Sequence, residues 1–301
     1  MITQEKKQLF LKTFITTFNF AVFTFYLQAQ SYLQLSVEND LFFLTDHYYS
    51  SGILISHGIK KDNKTIHWRL GQEIFTPKKR FTDKIKEMDY PFSGWLFIQR
   101  EMEVFWNDKA GWSWGMEIGI TGKASLAKNA QNLYHKITNI HSGRELSWIG
   151  AQPQRLHFGV FGQVFEGYSF RENMHFTGQL FGKASTHRIH ALGRFGILIG
   201  KHKKLPFQKA FFHTSNLSRS IYIGTMQEYR PHDFVLSGSL FDNTSEFTVQ
   251  SLKYRHAFEL GFFSQKKNWT VSVLYRSMSK DTPLQMYSRH RVLNITLRHQ
   301  F

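Results

Sequence analysis

The chain has 301 residues, with 38 Lys and Arg against 22 Asp and Glu, a formal charge of +16, and no Cys. The absence of Cys excludes disulfides, thiol nucleophiles and thiolate metal sites. So basic a chain favours an anionic partner such as nucleic acid, acidic lipid or the phosphates of lipopolysaccharide.

The first 29 residues are predicted to be a secretory signal. Three Lys precede residue 13, an apolar run covers 14–27, and Ala29 is a small residue at which a signal peptidase could cut. The run is interrupted by Thr and Asn and is shorter than the roughly 20 apolar residues of a spanning helix. We therefore expect residues 1–29 to be removed. Losing three Lys and one Glu leaves 35 Lys and Arg against 21 Asp and Glu, a mature charge of +14.

Residues 30–301 are predicted to form one domain, because no linker rich in Pro, Ser or Gly divides them. Their main feature is an alternation of apolar and polar residues in segments of about ten residues. Twelve such segments are predicted, near 31–39, 50–60, 65–75, 93–105, 111–122, 156–166, 174–184, 187–200, 219–229, 249–264, 268–279 and 289–301. An even number of alternating strands is typical of an all-β, antiparallel transmembrane β-barrel.

A soluble β-sandwich shows the same alternation, so other features must decide between the two folds. The predicted signal, the 16% aromatic content and the final Phe301 favour an outer-membrane barrel. A soluble nucleic-acid binder is disfavoured, because the aromatics lie in alternating strands and no basic stripe is present. We expect a monomer embedded in the outer membrane of a Gram-negative cell, with no nucleic-acid partner.

The predicted connections are short on one side of the membrane and long on the other, as in bacterial barrels. If the chain starts in the periplasm, the periplasmic turns are 60–64, 107–109 and 265–268, and the outer loops are 40–49, 76–92, 123–155, 230–248 and 280–288. The segment 201–218 breaks this rule, because it would be a long periplasmic connection. Either the strand register slips there or that turn is unusual.

One outer loop is predicted to contain a short helix, because residues 124–140 lack strand alternation. An apolar stripe runs along it, formed by Leu126, Ala130, Leu133 and Ile137. Gln131 and His135 are four positions apart and therefore share one face of the helix.

Polar residues follow the first predicted strand, with Asn39-Asp40 at its end and Tyr49-Ser50-Ser51-Gly52 opening the second strand. In these elements, in 71–77 and 89–95, and in the pair Gln131 and His135, the chain resembles the lipid A 3′-O-deacylase family of outer-membrane proteins. The resemblance covers about residues 31–155. Ser50 stands where that family usually has Thr, which keeps the hydroxyl group.

The resemblance implies a calcium-dependent esterase that removes the 3′-linked acyloxyacyl group from lipid A, with its site at Asn39, Asp40, Ser50, Gln131 and His135. We interpret His135 as the general base that activates water. Asp40 and the Asn39 carbonyl are the kind of hard oxygen ligand that Ca²⁺ takes. Ser50 either polarises or orients the substrate or is itself the nucleophile. Gln131 is expected to orient His135 or the substrate.

Lys78 and Lys79, in the next outer loop, are candidates for binding a phosphate of lipid A. Glu38 and Asp46 are weaker candidates for accessory metal ligands. Asn39 shares its strand face with the predicted lipid-facing residues, so we expect a site open sideways to the membrane. Two alternatives remain: another outer-membrane lipid esterase, such as a phospholipase-like barrel with a Ser-His mechanism, and a porin-like or adhesive barrel without enzymatic activity.

Overall fold

The computed structural model describes residues 30–40, 47–201, 205–209 and 217–301. Within these ranges, twelve antiparallel strands follow one another around a closed barrel, and β1 pairs with β12 to complete it. The strands are β1 (Ser31–Asn39), β2 (Tyr48–Lys61), β3 (Lys64–Thr76), β4 (Ser93–Asn107), β5 (Ala110–Thr121), β6 (Leu156–Arg171), β7 (Met174–Ser185), β8 (Arg188–Gly200), β9 (Ser218–Asp233), β10 (Tyr254–Lys266), β11 (Trp269–Ser279) and β12 (Arg289–Gln300). The predicted barrel and its strand number are confirmed. The predicted signal, 1–29, lies outside the described residues.

Two α-helices accompany the barrel in the described ranges. Helix α1 (Ala127–Thr138) lies between β5 and β6, and the single turn α2 (Phe234–Ser237) follows β9. Short 3₁₀ turns at Gly122–Ser125 and Ile140–Gly143 flank α1. The predicted short helix in an extracellular loop is thus confirmed. Of the helices described, none is long and apolar enough to cross a membrane.

The barrel is polar inside and apolar outside. Ion pairs line the lumen, such as Glu117 with Lys183 at 2.6 Å and Glu259 with Arg194 at 2.9 Å. Large apolar side chains are exposed on the outer face of the strands, among them Leu35, Ile55, Leu70, Met116 and Phe195. A soluble protein shows the reverse distribution, so this wall is built to contact lipid.

The two ends of the barrel differ in the length of their connections. At one end, β2–β3, β4–β5, β6–β7 and β10–β11 are each joined by two residues. At the other end, the loops 77–92 and 122–155 are long, and α1 lies in the second of them. Because bacterial barrels have short periplasmic turns and long extracellular loops, α1 lies at the extracellular end.

The connection between β8 and β9 is the exception to short periplasmic turns. The two strands pair as far as Gly200 and Ser220, so the connection is long rather than misassigned. Its described part, 205–209, turns back into the lumen, where Leu205 and Phe207 pack against Phe165. The ammonium of Lys209 pairs with Glu101 of β4. Of the two explanations left open by the sequence, the unusual turn is therefore the right one.

His187 lies in the two-residue turn between β7 and β8, at the extracellular end of the barrel. Its fully buried ring stacks on Trp95, with the ring centres 4.1 Å apart. Among the described residues, neither ring nitrogen has a hydrogen-bond partner. Burial first, and then the positive charges of Arg188 and Lys183, hold the pKa of His187 well below its usual 6.5. His187 is thus a neutral, apolar-packed residue at physiological pH.

The barrel should therefore lose stability in acid. Because the pKa of His187 is lower in the folded chain, its contribution is complete above pH 6.5 and is lost as the pH falls below that value. The temperature at which the folded barrel unfolds in detergent should drop by several degrees between pH 7.5 and pH 5. His187→Phe keeps the stacking on Trp95 and cannot titrate, so its drop should be smaller.

Circular dichroism during heating measures both drops. The exposed His256 supplies the matched control, and His256→Phe should behave as the unchanged protein does. A His187→Phe protein with the full acid sensitivity would contradict this role.

Candidate functional site

The extracellular ends of β1 and β2 hold the polar residues that the sequence indicated. Asp40 follows β1 directly and is fully buried. Its Oδ2 accepts a hydrogen bond from the backbone N–H of His47 at 2.7 Å, and its own N–H donates to the carbonyl of Ser50 at 3.4 Å. Asn39 pairs with Ser51 across the two strands. Asn39, Asp40 and Ser50 are therefore held together at one strand end.

A β-bulge places Ser50 at this position. Tyr49 pairs with Phe75 on β3, while Ser51 pairs with the preceding residue Ile74, which leaves Ser50 as the extra residue. Bulges re-aim side chains and are frequent beside active sites. Ser50 is almost fully buried, and among the described residues its Oγ has no hydrogen-bond partner. A buried hydroxyl in this state is available to a ligand.

Helix α1 brings the next two predicted residues to the barrel. Its buried residues are Ala127, Gln131 and His135, spaced by one turn each along a single face. Gly94 on β4 allows the close approach, because a Cβ atom there would lie 2.2 Å from the Cβ of Ala127. Further along, Gln131 donates from Nε2 to the hydroxyl of Thr76 at 2.9 Å.

The helix lies against the outside of the barrel wall. Gln72 and Thr76 alternate on β3 with Glu73, whose carboxylate lies in the lumen near Arg188, so the first two point outward. Gln72 donates to the carbonyl of Ser125 at 2.7 Å, just before α1 begins. The helix thus runs from β4 to the end of β3, where Thr76 pairs with Tyr48 of β2.

His135 is one turn beyond Gln131 on this wall face and is buried. Gln131 and His135 are therefore positioned outside the barrel, at the extracellular end of β2 and β3. Gln131 and His135 thus lie on the lipid side of the wall and not in the lumen, which is the side that the strand alternation predicted for Asn39. The chemical roles assigned to these residues remain predictions.

Lys78 joins this region through an aromatic residue from a distant loop. The ring of Tyr287 stacks on His47 with centres 5.0 Å apart, and the ammonium of Lys78 lies 4.5 Å from the centre of the Tyr287 ring. Lys79 points elsewhere: it is half-exposed and its ammonium lies 3.8 Å from Glu87. Among the described residues near Asp40, contacts are seen for Lys78 and not for Lys79.

A hydrogen-bond relay fixes the loop that carries Lys78. The Tyr48 hydroxyl donates to Asp89 Oδ2 at 2.7 Å and accepts the backbone N–H of Met286 at 2.9 Å. Asp89 Oδ1 accepts the backbone N–H of Lys78 at 3.0 Å. Three extracellular connections therefore meet at the start of β2.

Of the two weaker metal-ligand candidates, Glu38 does not join the site. The Glu38 carboxylate lies on the lumen side, where it accepts hydrogen bonds from Tyr49 at 2.6 Å, Arg276 at 2.9 Å and Asn294 at 3.0 Å. Asp46 lies outside the described residues. Conversely, sequence reasoning assigned no role to His47 and Tyr287. His47 could have been found from its place in the polar segment after β1, whereas no local signal marks Tyr287.

A metal site here would depend on oxygen donors. Within the described ranges, no group of three or more His, Asp or Glu side chains could hold a metal ion. The Asp40 carboxylate and the Asn39 amide carbonyl are hard donors of the type Ca²⁺ prefers, and Ca²⁺ also takes backbone carbonyls. This donor chemistry fits calcium and does not fit zinc, which prefers His and Cys.

A closed barrel with an apolar outer wall and a polar site on that wall is an outer-membrane β-barrel protein. The model of the family described as Outer membrane protein LpxR matches residues 9–144 of the chain. The structure of LpxR from Salmonella typhimurium superposes with a TM-score of 0.76 at 15% identity, covering 90% of this chain and 100% of that one. The family match confirms the resemblance seen in the sequence, and the structural match shows that the fold is shared.

A second solved structure is also a β-barrel. The β domain of the Bordetella autotransporter BrkA gives a TM-score of 0.49 at 11% identity, covering 91% of this chain and 99% of that one. No curated protein matches the sequence.

Proposed function

We propose that the protein is an outer-membrane esterase that removes the 3′-O-linked acyloxyacyl chain from lipid A. The observation that carries this proposal is the location of Gln131 and His135, buried between α1 and the outer wall at the extracellular rim. The ester bonds of lipid A lie just below its head group, at the boundary between polar and apolar surroundings. A polar site outside the wall meets such a substrate without the lipid leaving the membrane.

His135 would act as the general base. Ester hydrolysis needs a nucleophile, a base that removes its proton, and donors that stabilise the oxyanion. An imidazole accepts protons near neutral pH, so His135 can take a proton from an attacking water molecule. Ser50 Oγ is buried and without a partner in the described residues, so it can donate to the substrate carbonyl. Gln131, fixed by Thr76, holds the helix face that carries His135.

Asp40 and Asn39 would hold Ca²⁺ in this mechanism. A fully buried carboxylate such as Asp40 is costly unless charge or hydrogen bonds compensate it. When bound, Ca²⁺ would polarise the ester carbonyl. The hydrogen bonds of Asp40, from its Oδ2 to the His47 N–H and from its N–H to the Ser50 carbonyl, keep its carboxylate beside the Ser50 bulge.

Lys78 would bind a phosphate of lipid A, because its ammonium is held over Tyr287 beside the Asp40 region. Lys79 is a second candidate whose half-exposed ammonium can reach the same head group from outside. The mature charge of +14 favours approach to a surface of lipopolysaccharide phosphates.

A Ser-His mechanism of the phospholipase type is the second candidate. The state of the Ser50 hydroxyl favours it, since a buried hydroxyl without a partner is also suited to be a nucleophile. A porin-like barrel has less support. A porin needs a lumen that lets solutes pass, but here the lumen contains Glu117, Lys183 and the segment around Lys209.

Mass spectrometry of lipid A from cells that produce the protein tests the proposal. The expected result is a loss of mass equal to one acyloxyacyl group, absent in cells that produce His135→Ala. The phospholipids of the same cells serve as the internal comparison. Release of fatty acids from phospholipids with intact lipid A would support the phospholipase alternative, and no change in either lipid would favour a non-enzymatic barrel.

A further inference from the structure

Helix α1 has an apolar face that the barrel does not cover. Leu126, Leu133, Tyr134 and Ile137 are exposed to 57%, 59%, 47% and 74%. At 3.6 residues per turn they span an arc of about 100°. This arc is separate from the wall face of Ala127, Gln131 and His135, so the helix packs its polar and small residues against the protein and leaves its apolar stripe outside.

The remaining side of α1 is polar. It carries Lys128, Asn129, Asn132 and Lys136, of which only Asn132 is partly buried. The helix therefore has three sectors: one on the wall, one apolar and one polar. A helix with a basic polar side and an opposing apolar side is the pattern of helices that lie in the interface of a membrane.

The apolar sector continues the lipid-facing surface of the barrel. Gln72 donates to the carbonyl of Ser125, close to the start of α1. The next residue on the outer face of β3 is the exposed Leu70. Ile98 of β4 and Ile55 of β2, which pairs with Leu70 across the strands, are exposed beside it. The stripe of α1 therefore lies at the extracellular edge of a surface that faces acyl chains.

We propose that α1 is an interfacial helix whose apolar stripe is inserted into the outer leaflet, with Lys128 and Lys136 at the level of the head-group phosphates. The bilayer is thus the partner of this face, and the lipid anchors the helix that carries His135. The consequence for catalysis rests on the proposed esterase function. Insertion of α1 into the leaflet then holds His135 against the wall, and it brings the extracellular end of the barrel to the level of the ester bonds of neighbouring lipids.

Site-directed spin labelling tests the location directly. Because the chain has no Cys, a single introduced Cys carries the nitroxide label without background. The labelled positions are Leu133→Cys and Ile137→Cys on the stripe, Leu70→Cys on the barrel wall as the lipid control, and Asn243→Cys, an exposed position in the loop between β9 and β10, as the water control. The protein is placed in vesicles of phosphatidylethanolamine and phosphatidylglycerol, and the accessibility of each label to O₂ and to a water-soluble nickel chelate is measured.

O₂ concentrates in the bilayer and the nickel chelate stays in water, so the two accessibilities report depth. Labels on the stripe should resemble Leu70→Cys, with high access to O₂ and low access to nickel. Stripe labels that resemble Asn243→Cys would overturn the proposal, because the face would then lie in water. Protection from both reagents would also overturn it, since a second copy or another protein would then cover the face.

The catalytic consequence is tested separately. Leu133→Ser with Ile137→Ser leaves Gln131 and His135 in place, and should reduce hydrolysis of lipid A in vesicles by about tenfold or more, because interfacial binding scales with buried apolar area. The same substitutions at Leu240 and Phe241, exposed apolar residues in another extracellular loop, should have little effect. Equal activity of the two double variants would refute the link to catalysis, while the spin labels decide the location whether or not the protein is an esterase.

Discussion

Replacing His135 with Ala should reduce the rate of lipid A deacylation by about 10²- to 10⁴-fold, the contribution of a positioned general base. The residue is buried on the wall face of α1, so its loss removes the base without changing the exposed surface. His135→Gln, which keeps the size and polarity, should be equally inactive if proton transfer is the role. Asn129→Ala on the exposed side of the same helix is the matched control and should keep full activity.

Ser50→Ala separates the two mechanisms. If water is the nucleophile, this variant should lose less activity than His135→Ala, because Ser50 then only stabilises the substrate oxygen. If Ser50 is the nucleophile, the two single variants should be equally impaired and the double variant no worse, since residues that act as one unit have non-additive effects. An acyl group found on Ser50 by peptide mass spectrometry would exclude the water mechanism.

The strands could be predicted from the sequence because successive side chains of each strand face the lipid and the lumen in turn. Most of the errors lie at the extracellular ends: β2 begins at Tyr48, β9 continues to Asp233, and β10 begins only at Tyr254. At the periplasmic end, β6 also continues beyond its predicted end, to Arg171. The extracellular ends project beyond the apolar wall, where loops cover both faces of a strand. Tyr48, for example, is buried against Tyr90 and Val249 of the extracellular loops. Alternation therefore no longer marks the strand where the site begins.

The helix shows why an apolar stripe is ambiguous in a membrane protein. In a soluble protein the stripe of Leu133 and Ile137 would face the core. Here these side chains are exposed, and the small and polar residues Ala127 and Gln131 face the wall. The reversal follows from the solvent: next to lipid, the apolar side is the outer side.

The candidate site was predictable where its residues are close in sequence. Asn39, Asp40 and Ser50 lie on one hairpin, and the pair Gln131 and His135 lies on one helical turn. Tyr287 reaches the site from the connection between β11 and β12, and only closure of the barrel between β1 and β12 brings that loop near. The lumen segment around Lys209 was missed for a similar reason, since its contacts are with β4, more than 100 residues earlier.

Removing divalent cations with a chelator should abolish deacylation, and Ca²⁺ should restore it. Mg²⁺ should restore it poorly, because it requires shorter bonds in a near-octahedral arrangement and gives up its water reluctantly. Asp40→Asn should have the same effect as the chelator at ordinary Ca²⁺ concentrations, because it removes the one ligand charge assigned to the site. Asp242→Asn, the same substitution in a loop where the carboxylate pairs with Arg155, should leave the calcium response unchanged.

Binding can be measured without activity by the luminescence of Tb³⁺, which replaces Ca²⁺ at oxygen sites and is excited through nearby aromatic rings. Tyr48 and Tyr287 lie beside His47, whose N–H bonds to Asp40, so Tb³⁺ held by Asp40 should give a signal that Ca²⁺ displaces. Asp40→Asn should lose this signal, and Asp242→Asn should keep it. Full deacylation in chelator, together with Tb³⁺ luminescence equal in both variants, would exclude Asp40 as a metal ligand and leave the Ser50 mechanism as the better account of the site.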